Sequence, residues 1–486
     1  MYLLDKVMNF FGFEKVKGAK VISWRIKRPT ILVPRIKIPT QNNKKIQFIM
    51  NDLSTPDLIK EILPPVYTGR IAFAVKNYRG GGFLRNTIEG QAANCFVVVA
   101  NTLNFFNSKS ERAFARWAKA SILNVYPRAG NDLNAYYDRS SLRFFSYSHP
   151  KIGGTIHTCD SSEIVAHELG HAILDTYRPE TWNAALIEVD AFHEAFADFT
   201  AMIHALNYDE MINRALSETN NDLRKPNVIS RIAEQFGIAI FQLFGSTNGK
   251  PYDCLRSAIN SFVYVSPSTL PQDAPPDQLS SDPHNFSRIF LGAFYDIFVM
   301  MYEDNLNQGI APIDAVKVSR DTLSTYVLKA VQNVPINAKF FSSMATTILW
   351  ADVVLSNRKY HDRIHQIFVA RNLAAPVLRM LSVAPACPDD LILKTATNME
   401  IKLQDQILRA QTNNPLYNVT VEIPNEEAYL YDLNRMPYDL ISVPQDESIQ
   451  NACDMIDFLN AKNKVSDDSA TPFAIIDGKL VRTHIS

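Results

Sequence analysis

From Ser161 to Asp175 the chain reads Ser-Ser-Glu-Ile-Val-Ala-His-Glu-Leu-Gly-His-Ala-Ile-Leu-Asp, an apolar helical stretch broken by two histidines four positions apart. Asp160, Ser161 or Ser162 can accept hydrogen bonds from the first free amides, and Pro179 ends the helix. Residues at i and i+4 stand on one helix face, one turn apart, so His167 and His171 can reach a single cation. Val165, Leu169, Ala172 and Ile173 surround them. These apolar neighbours argue against the alternative of polar residues on an exposed helix face.

A second helix, read from Asp190 to Ala205, supplies such groups. Its His193-Glu194-Ala195-Phe196-Ala197-Asp198 run puts Glu194 and Asp198 four apart and on one side. Glu194 can then complete a His167, His171, Glu194 ligand set, while Asp198 accepts the far N–H of a ligand histidine. Asp175, four residues after His171, stands where it could support the site from below. Zinc suits three such ligands, with a fourth position left for water. Glu168, beside the first ligand, is placed to take a proton from that water.

The His-Glu-Leu-Gly-His helix followed by Glu-Ala-x-x-Asp resembles the thermolysin-like zinc metalloendopeptidases of the gluzincin group. Other blocks agree with that resemblance. Asn134-Ala135-Tyr136-Tyr137 matches the family's substrate-aligning strand, which implies that Asn134 and Ala135 bind peptide. Asp253-Cys254-Leu255-Arg256-Ser257 is similar to the segment whose arginine holds a substrate carbonyl, which gives Arg256 that role. His284-Asn285-Phe286-Ser287-Arg288-Ile289 resembles the block bearing the histidine that stabilises the tetrahedral intermediate, which gives that role to His284. The resemblance covers about 90–375. It implies an α+β, zincin-like two-lobed metalloprotease fold, with a β-containing N-lobe, a mainly helical C-lobe and extra N- and C-terminal units. It also implies one catalytic Zn2+, Glu168 and His284 as catalytic residues, and a peptide or protein as substrate.

The chain departs from the family's pattern in places. The gap from His171 to Glu194 is longer, leaving Tyr177 as one option for a second oxyanion donor, and His193 replaces the usual asparagine. Ca2+ is a weaker implication, because Glu163 matches a calcium carboxylate but the position for the next ligand falls near Ala205. A non-catalytic binding or scaffold protein on the same fold is the alternative reading. An aminopeptidase is another, and it would need an acidic group for the substrate's amine.

Charge and hydropathy bound the remaining possibilities. The 49 basic and 50 acidic side chains of the 486 residues nearly cancel, so net charge gives no reason to expect nucleic acid as a partner. Ten Lys or Arg and no acid lie between Lys15 and Lys45, in an alternating, proline-broken stretch that suits short edge strands with a solvated basic face. Five widely spaced cysteines suggest no disulfide framework. No signal peptide or transmembrane stretch is visible, so the default location is cytoplasmic, with export by a route that reads no N-terminal signal as the alternative. Oligomeric state is not readable.

Four units follow from the patterning: residues 1–89 as a β-rich accessory unit or pro-segment, 90–205 with the ligand helices, 206–384 as a helical lobe, and 385–486 as an α/β accessory unit. Helices are expected near 91–106, 226–245, 286–303, 313–333, 337–355, 360–371 and 446–461. His361 and His365, four apart on one of these, read as a solvated face. A hairpin is expected in 134–147, and another around Asp477-Gly478.

Overall fold

The computed structural model describes residues 44–374 and 400–485, except 81–83, 85, 112, 113, 115, 246–252, 276, 405, 406, 412–419, 432–436, 442, 467–470 and 478. Most of the basic run from Lys15 to Lys45 lies outside the described residues. The first described strands form an antiparallel ribbon, β1 (Ile46–Ile49) against β2 (Ile59–Ile62). Ile46, Phe48 and Met50 are buried. Phe48 meets the rings of His204 and Tyr208, and Asn94 accepts the Ile49 amide.

β3 (Ala72–Val75), β4 (Ile122–Tyr126), β5 (Ala135–Tyr137) and β6 (Ser141–Phe144) build one mixed sheet in the order β3-β4-β6-β5. The first two pairings are parallel, and β5 lies antiparallel to β6 at the edge, as the expected hairpin. A parallel pair needs a crossover, and α1 (Ile88–Lys109) supplies it between β3 and β4. Thr87 caps that helix by accepting the Gly90 amide, and its residues from Gly90 to Ala100 are all buried, with Gln91 bonded to Asp160 and Asn94 to the Ile49 amide. β1 packs on α1, and the Asn51 carbonyl just after it accepts the Ser162 amide.

A β7 (Ser146–His149) and β8 (Gly154–His157) hairpin leads into the two central helices. α2 (Ser162–Tyr177) starts where the Ser161 hydroxyl accepts the Ile164 amide. α3 (Ile187–Ala205) is buried along its whole length. The two cross in close contact at Gly170, where an added Cβ would fall 2.7 Å from Ala197 Cα.

The following segment is mainly helical: α4 (Asp209–Thr219), α5 (Glu234–Phe244), α6 (Pro283–Phe286), α7 (Arg288–Asn307), α8 (Pro312–Val331), α9 (Phe340–Ser356) and α10 (His361–Ala370). Phe192 of α3 meets Phe290, Phe294 and Phe340, which ties this body to the ligand helices. The helix expected over 226–245 begins only at Glu234. Before it, β9 (Arg231–Ile232) pairs with β10 (Arg256–Ser257). His361 and His365 are buried rather than solvated, because α10 packs against α7 and α9.

The last segment holds two sheets and α11 (Gln445–Ala461). β11 (Glu400–Gln404), β14 (Glu427–Tyr431) and β15 (Pro437–Ile441) form one sheet. β12 (Ile407–Gln411), β13 (Thr420–Pro424), β16 (Val465–Ser466), β17 (Phe473–Ile476) and β18 (Lys479–Arg482) form the other, with β17 and β18 as the Asp-Gly hairpin. This segment docks on the turn after α2: Arg178 pairs with Glu426 at 2.7 Å, and Trp182 donates its indole N–H to the Arg482 carbonyl. The architecture as a whole is mixed α+β. The four cysteines among the described residues are free, and none of the described helices is long and apolar enough to cross a membrane.

Candidate metal centre

α2 sets the His167 and His171 rings 4.9 Å apart and nearly perpendicular, and α3 brings Glu194 between them. Glu194 Oε2 lies 3.5 Å from His167 Nε2, and its Oε1 lies 3.8 Å from His171 Nε2. One candidate ligand atom from each residue falls within 4.8 Å of the others, and all three residues are buried. Among the described residues this is the one such group that could hold a metal ion.

Both ring nitrogens of His171 are buried without a hydrogen-bond partner. Buried polar atoms in this state call for a ligand. Burial also holds the His171 ring well below the usual histidine range, so it is neutral and has a lone pair to give. For Glu194, burial favours the acid, but His284, His167 and His171 outweigh it and hold the carboxyl well below its usual range. Burial opposes charging of His167, yet its bonds to Asp198 and Glu194 raise it to about 9. Two imidazoles and an ionised carboxylate are a borderline-soft donor set, and they fit a divalent transition-type ion.

Two groups of charges hold these side chains in place. His167 Nδ1 lies 2.8 Å from Asp198 Oδ1, and Arg256 grips the same carboxylate at 2.6 and 2.7 Å. Arg256 and His167 hold Asp198 below its usual pKa against the opposing effect of burial. On the other side, His284 Nε2 lies 3.2 Å from Glu194 Oε2, and its Nδ1 lies 3.3 Å from Asp282 Oδ1. Lys464 reaches Asp282 Oδ2 at 3.0 Å. The sequence shows Asp282 only as a residue at a helix start. It does cap α6, accepting the His284 amide at 2.9 Å, and it also fixes the ring.

A cavity opens beside the ligands. Asn134, His167, Glu168, Arg256 and His284 are among its polar lining, and Ala135, Ile164, Ile232, Phe236 and Leu255 among its apolar lining. The structure thus brings together His167, Glu168, His171, Glu194, Asp198, Asn134, Ala135, Arg256 and His284, although they come from six separate elements and turns.

Two expectations, those for Asp175 and Tyr177, are corrected. Asp175 does not support His171. It accepts the Tyr137 hydroxyl at 2.8 Å and pairs with Arg139 at 2.5 Å, because the β5–β6 turn reaches its carboxylate first. Tyr177 packs on Phe114, does not line the cavity and cannot serve as an oxyanion donor. Glu163, the carboxylate offered to calcium, accepts the Ala233 amide at 2.7 Å, and burial beside Asp52 and Glu234 holds it well above the carboxylate range. His193 contacts Thr181 Oγ1 at 2.8 Å through Nε2, with its ring 5.8 Å from that of His171.

Compared with known proteins, the chain matches no protein-family model and no curated protein.

Proposed function

We propose that this chain is a zinc-dependent metalloendopeptidase with a zincin-like arrangement, its sheet-bearing N-lobe ahead of a helical C-lobe and the cleft between them. The observation that carries the reading is that the His167, His171 and Glu194 group adjoins a cavity lined by His167, Glu168, Arg256 and His284. Scaffold proteins that bind a metal need the first three residues. They do not need a carboxylate and a braced histidine on opposite sides of the ligand set.

His167, His171 and Glu194 would hold the ion, which when bound acidifies water and polarises a carbonyl. Glu168 accepts the proton of the attacking water and returns it to the leaving amine, so one carboxylate serves both halves of the reaction. His284 donates a hydrogen bond to the oxygen that gains negative charge as the carbonyl is attacked. Asp282 holds the ring of His284 at Nδ1, which leaves Nε2 to face the cleft side of Glu194. Asp198, locked by Arg256, keeps His167 turned toward the ligand position. Asn134 and Ala135 border the cavity, where a peptide backbone can be aligned.

The purified chain is expected to contain about one zinc and to cleave an unstructured protein such as casein. Glu168→Gln is expected to keep the zinc and lose the cleavage. Full activity in that variant refutes the mechanism, and metal retention without cleavage of any peptide by the unmodified chain favours a binding protein instead.

A further inference from the structure

β5 is an edge strand, and its Ala135 end lines the cavity together with His167 and Glu168. An extended peptide can add to such an edge as one more strand, bonded through main-chain groups. At the other end of β5 that position is taken. The Tyr137 amide donates to the Ile485 carbonyl and the Ile485 amide to the Tyr137 carbonyl, both at 2.9 Å, in an antiparallel bridge. His484 lays its ring against Tyr136 at 4.7 Å between centroids. His484 and Ile485 are buried, and they border a second cavity with Glu194 and His284.

The segment is held from behind. Arg482 is anchored on the turn after α2, where it donates to the Trp182 carbonyl at 2.7 Å, and it forms an ion pair with Asp190. The Thr483 amide donates to the Pro472 carbonyl at 2.8 Å. Residues 483–485 therefore leave β18 on a fixed course toward the edge of β5.

The direction of pairing fixes which end of a substrate is affected. In an antiparallel strand, the residue facing Tyr137 precedes the residue facing Ala135 by two positions. Ala135 is the end beside the ligand helices, so Ile485 fills the place of a substrate residue on the amino-terminal side of the bond to be cut. We propose that Thr483–Ile485 is a built-in strand that closes the amino-terminal half of the cleft and sets substrate length. Peptides are accepted with roughly one residue ahead of the one facing Ala135. Bonds near the amino end of a substrate are then cut in preference to bonds deep within a long chain. This rests on the peptide-hydrolysing reading and deepens it.

The test compares the full chain with a chain stopped after Arg482, which keeps the Arg482 anchor, and with Ile485→Pro, which removes one donor at full length. Hydrogen exchange at the Tyr137 amide is followed in a Glu168→Gln background, with and without a long unstructured peptide. Cleavage rates on peptides with short and long amino-terminal extensions are measured with Glu168 intact. The Tyr137 amide is expected to exchange faster in both altered chains and to be protected again by the peptide, but to stay protected throughout in the full chain. The preference for long over short extensions is expected to rise roughly tenfold, in keeping with two main-chain hydrogen bonds. Equal Tyr137 exchange in all three chains, or an unchanged length preference, overturns the proposal. If the exchange results hold and no chain cleaves any peptide, the hydrolytic reading fails while the strand stands as the occupant of a peptide groove.

Discussion

Gly170→Ala tests whether the contact between α2 and α3 sets the spacing of the ligands. The new Cβ would sit 2.7 Å from Ala197 Cα, 2.9 Å from Thr200 Oγ1 and 3.0 Å from Thr200 Cβ. Ordinary contact begins at 3.4 Å, and the nearest atom is backbone, so the helices must part by the difference, 0.7 Å, along that line. Two effects oppose each other. Alanine favours an exposed helix interior over glycine by about 1 kcal/mol. Overpacking costs about 1–3 kcal/mol, and a backbone obstacle puts this site at or above the upper end. The net expectation is about 2 kcal/mol of destabilisation, so the sign is opposite to that of helix propensity alone. Glu194 lies one turn before Ala197, while metal–ligand distances tolerate only about 0.2 Å. Metal affinity should therefore fall by about tenfold to a hundredfold, the range seen when ligand-orienting groups are disturbed. Urea unfolding of the metal-free protein gives the first number, and zinc competition with a chromophoric chelator gives the second. A variant as stable as the parent with unchanged affinity would show that the ligand spacing is set elsewhere.

Three further outcomes follow from the structure. Glu188 is buried, accepts the Tyr264 hydroxyl and the Phe341 amide, and is raised by burial from 4.5 to about 7. The folded state binds that proton more tightly than the unfolded state, so the stabilisation is complete below about 4.5 and is lost as pH rises through about 7. Glu188→Gln should flatten a pH dependence of about 3 kcal/mol in urea unfolding across that window, and an unchanged slope would refute the assignment. His284→Ala should lower kcat by about 10²–10³ in the zinc-saturated protein. Asp282→Asn, which acts through the ring of His284, should produce a smaller loss and a shifted pH–rate profile, and equal kcat values for parent and His284→Ala would remove the oxyanion role.

The ligand helices were legible because their information is local. Spacing by four places His167 with His171, and Glu194 with Asp198, before any tertiary contact is known. The Asp-Gly hairpin was legible for the same reason, since its turn residues specify its shape. What could not be read depends on contacts between distant parts of the chain. Lys464 reaches Asp282 across 182 positions, and nothing near either residue marks the pair. Asp175 misled because its spacing from His171 is correct, yet the turn after β5 brings Tyr137 and Arg139 to it first. Phe48 sits in a short strand that looks peripheral, and its burial against His204 and Tyr208 is decided by α3, more than a hundred positions later.

The charges around the candidate centre explain why its supports differ on the two sides. Glu168, Glu194 and Asp198 carry three formal negative charges in a buried space, and Arg256 returns one positive charge directly to Asp198. The Lys464–Asp282 pair is neutral by itself, so it can orient His284 without altering the sum. With His167 deprotonated, as a metal ligand must be, two negative charges remain, on Glu194 and the neighbouring Glu168. Buried charge at this density is costly unless matched. A divalent cation held by His167, His171 and Glu194 would match it, displacing the proton from His167 as it bound, while His171 is already neutral. The same balance accounts for Arg256. Without its guanidinium, Asp198 would add a third uncompensated charge beside His167, and the carboxylate that orients the ligand would work against the neutrality of the site.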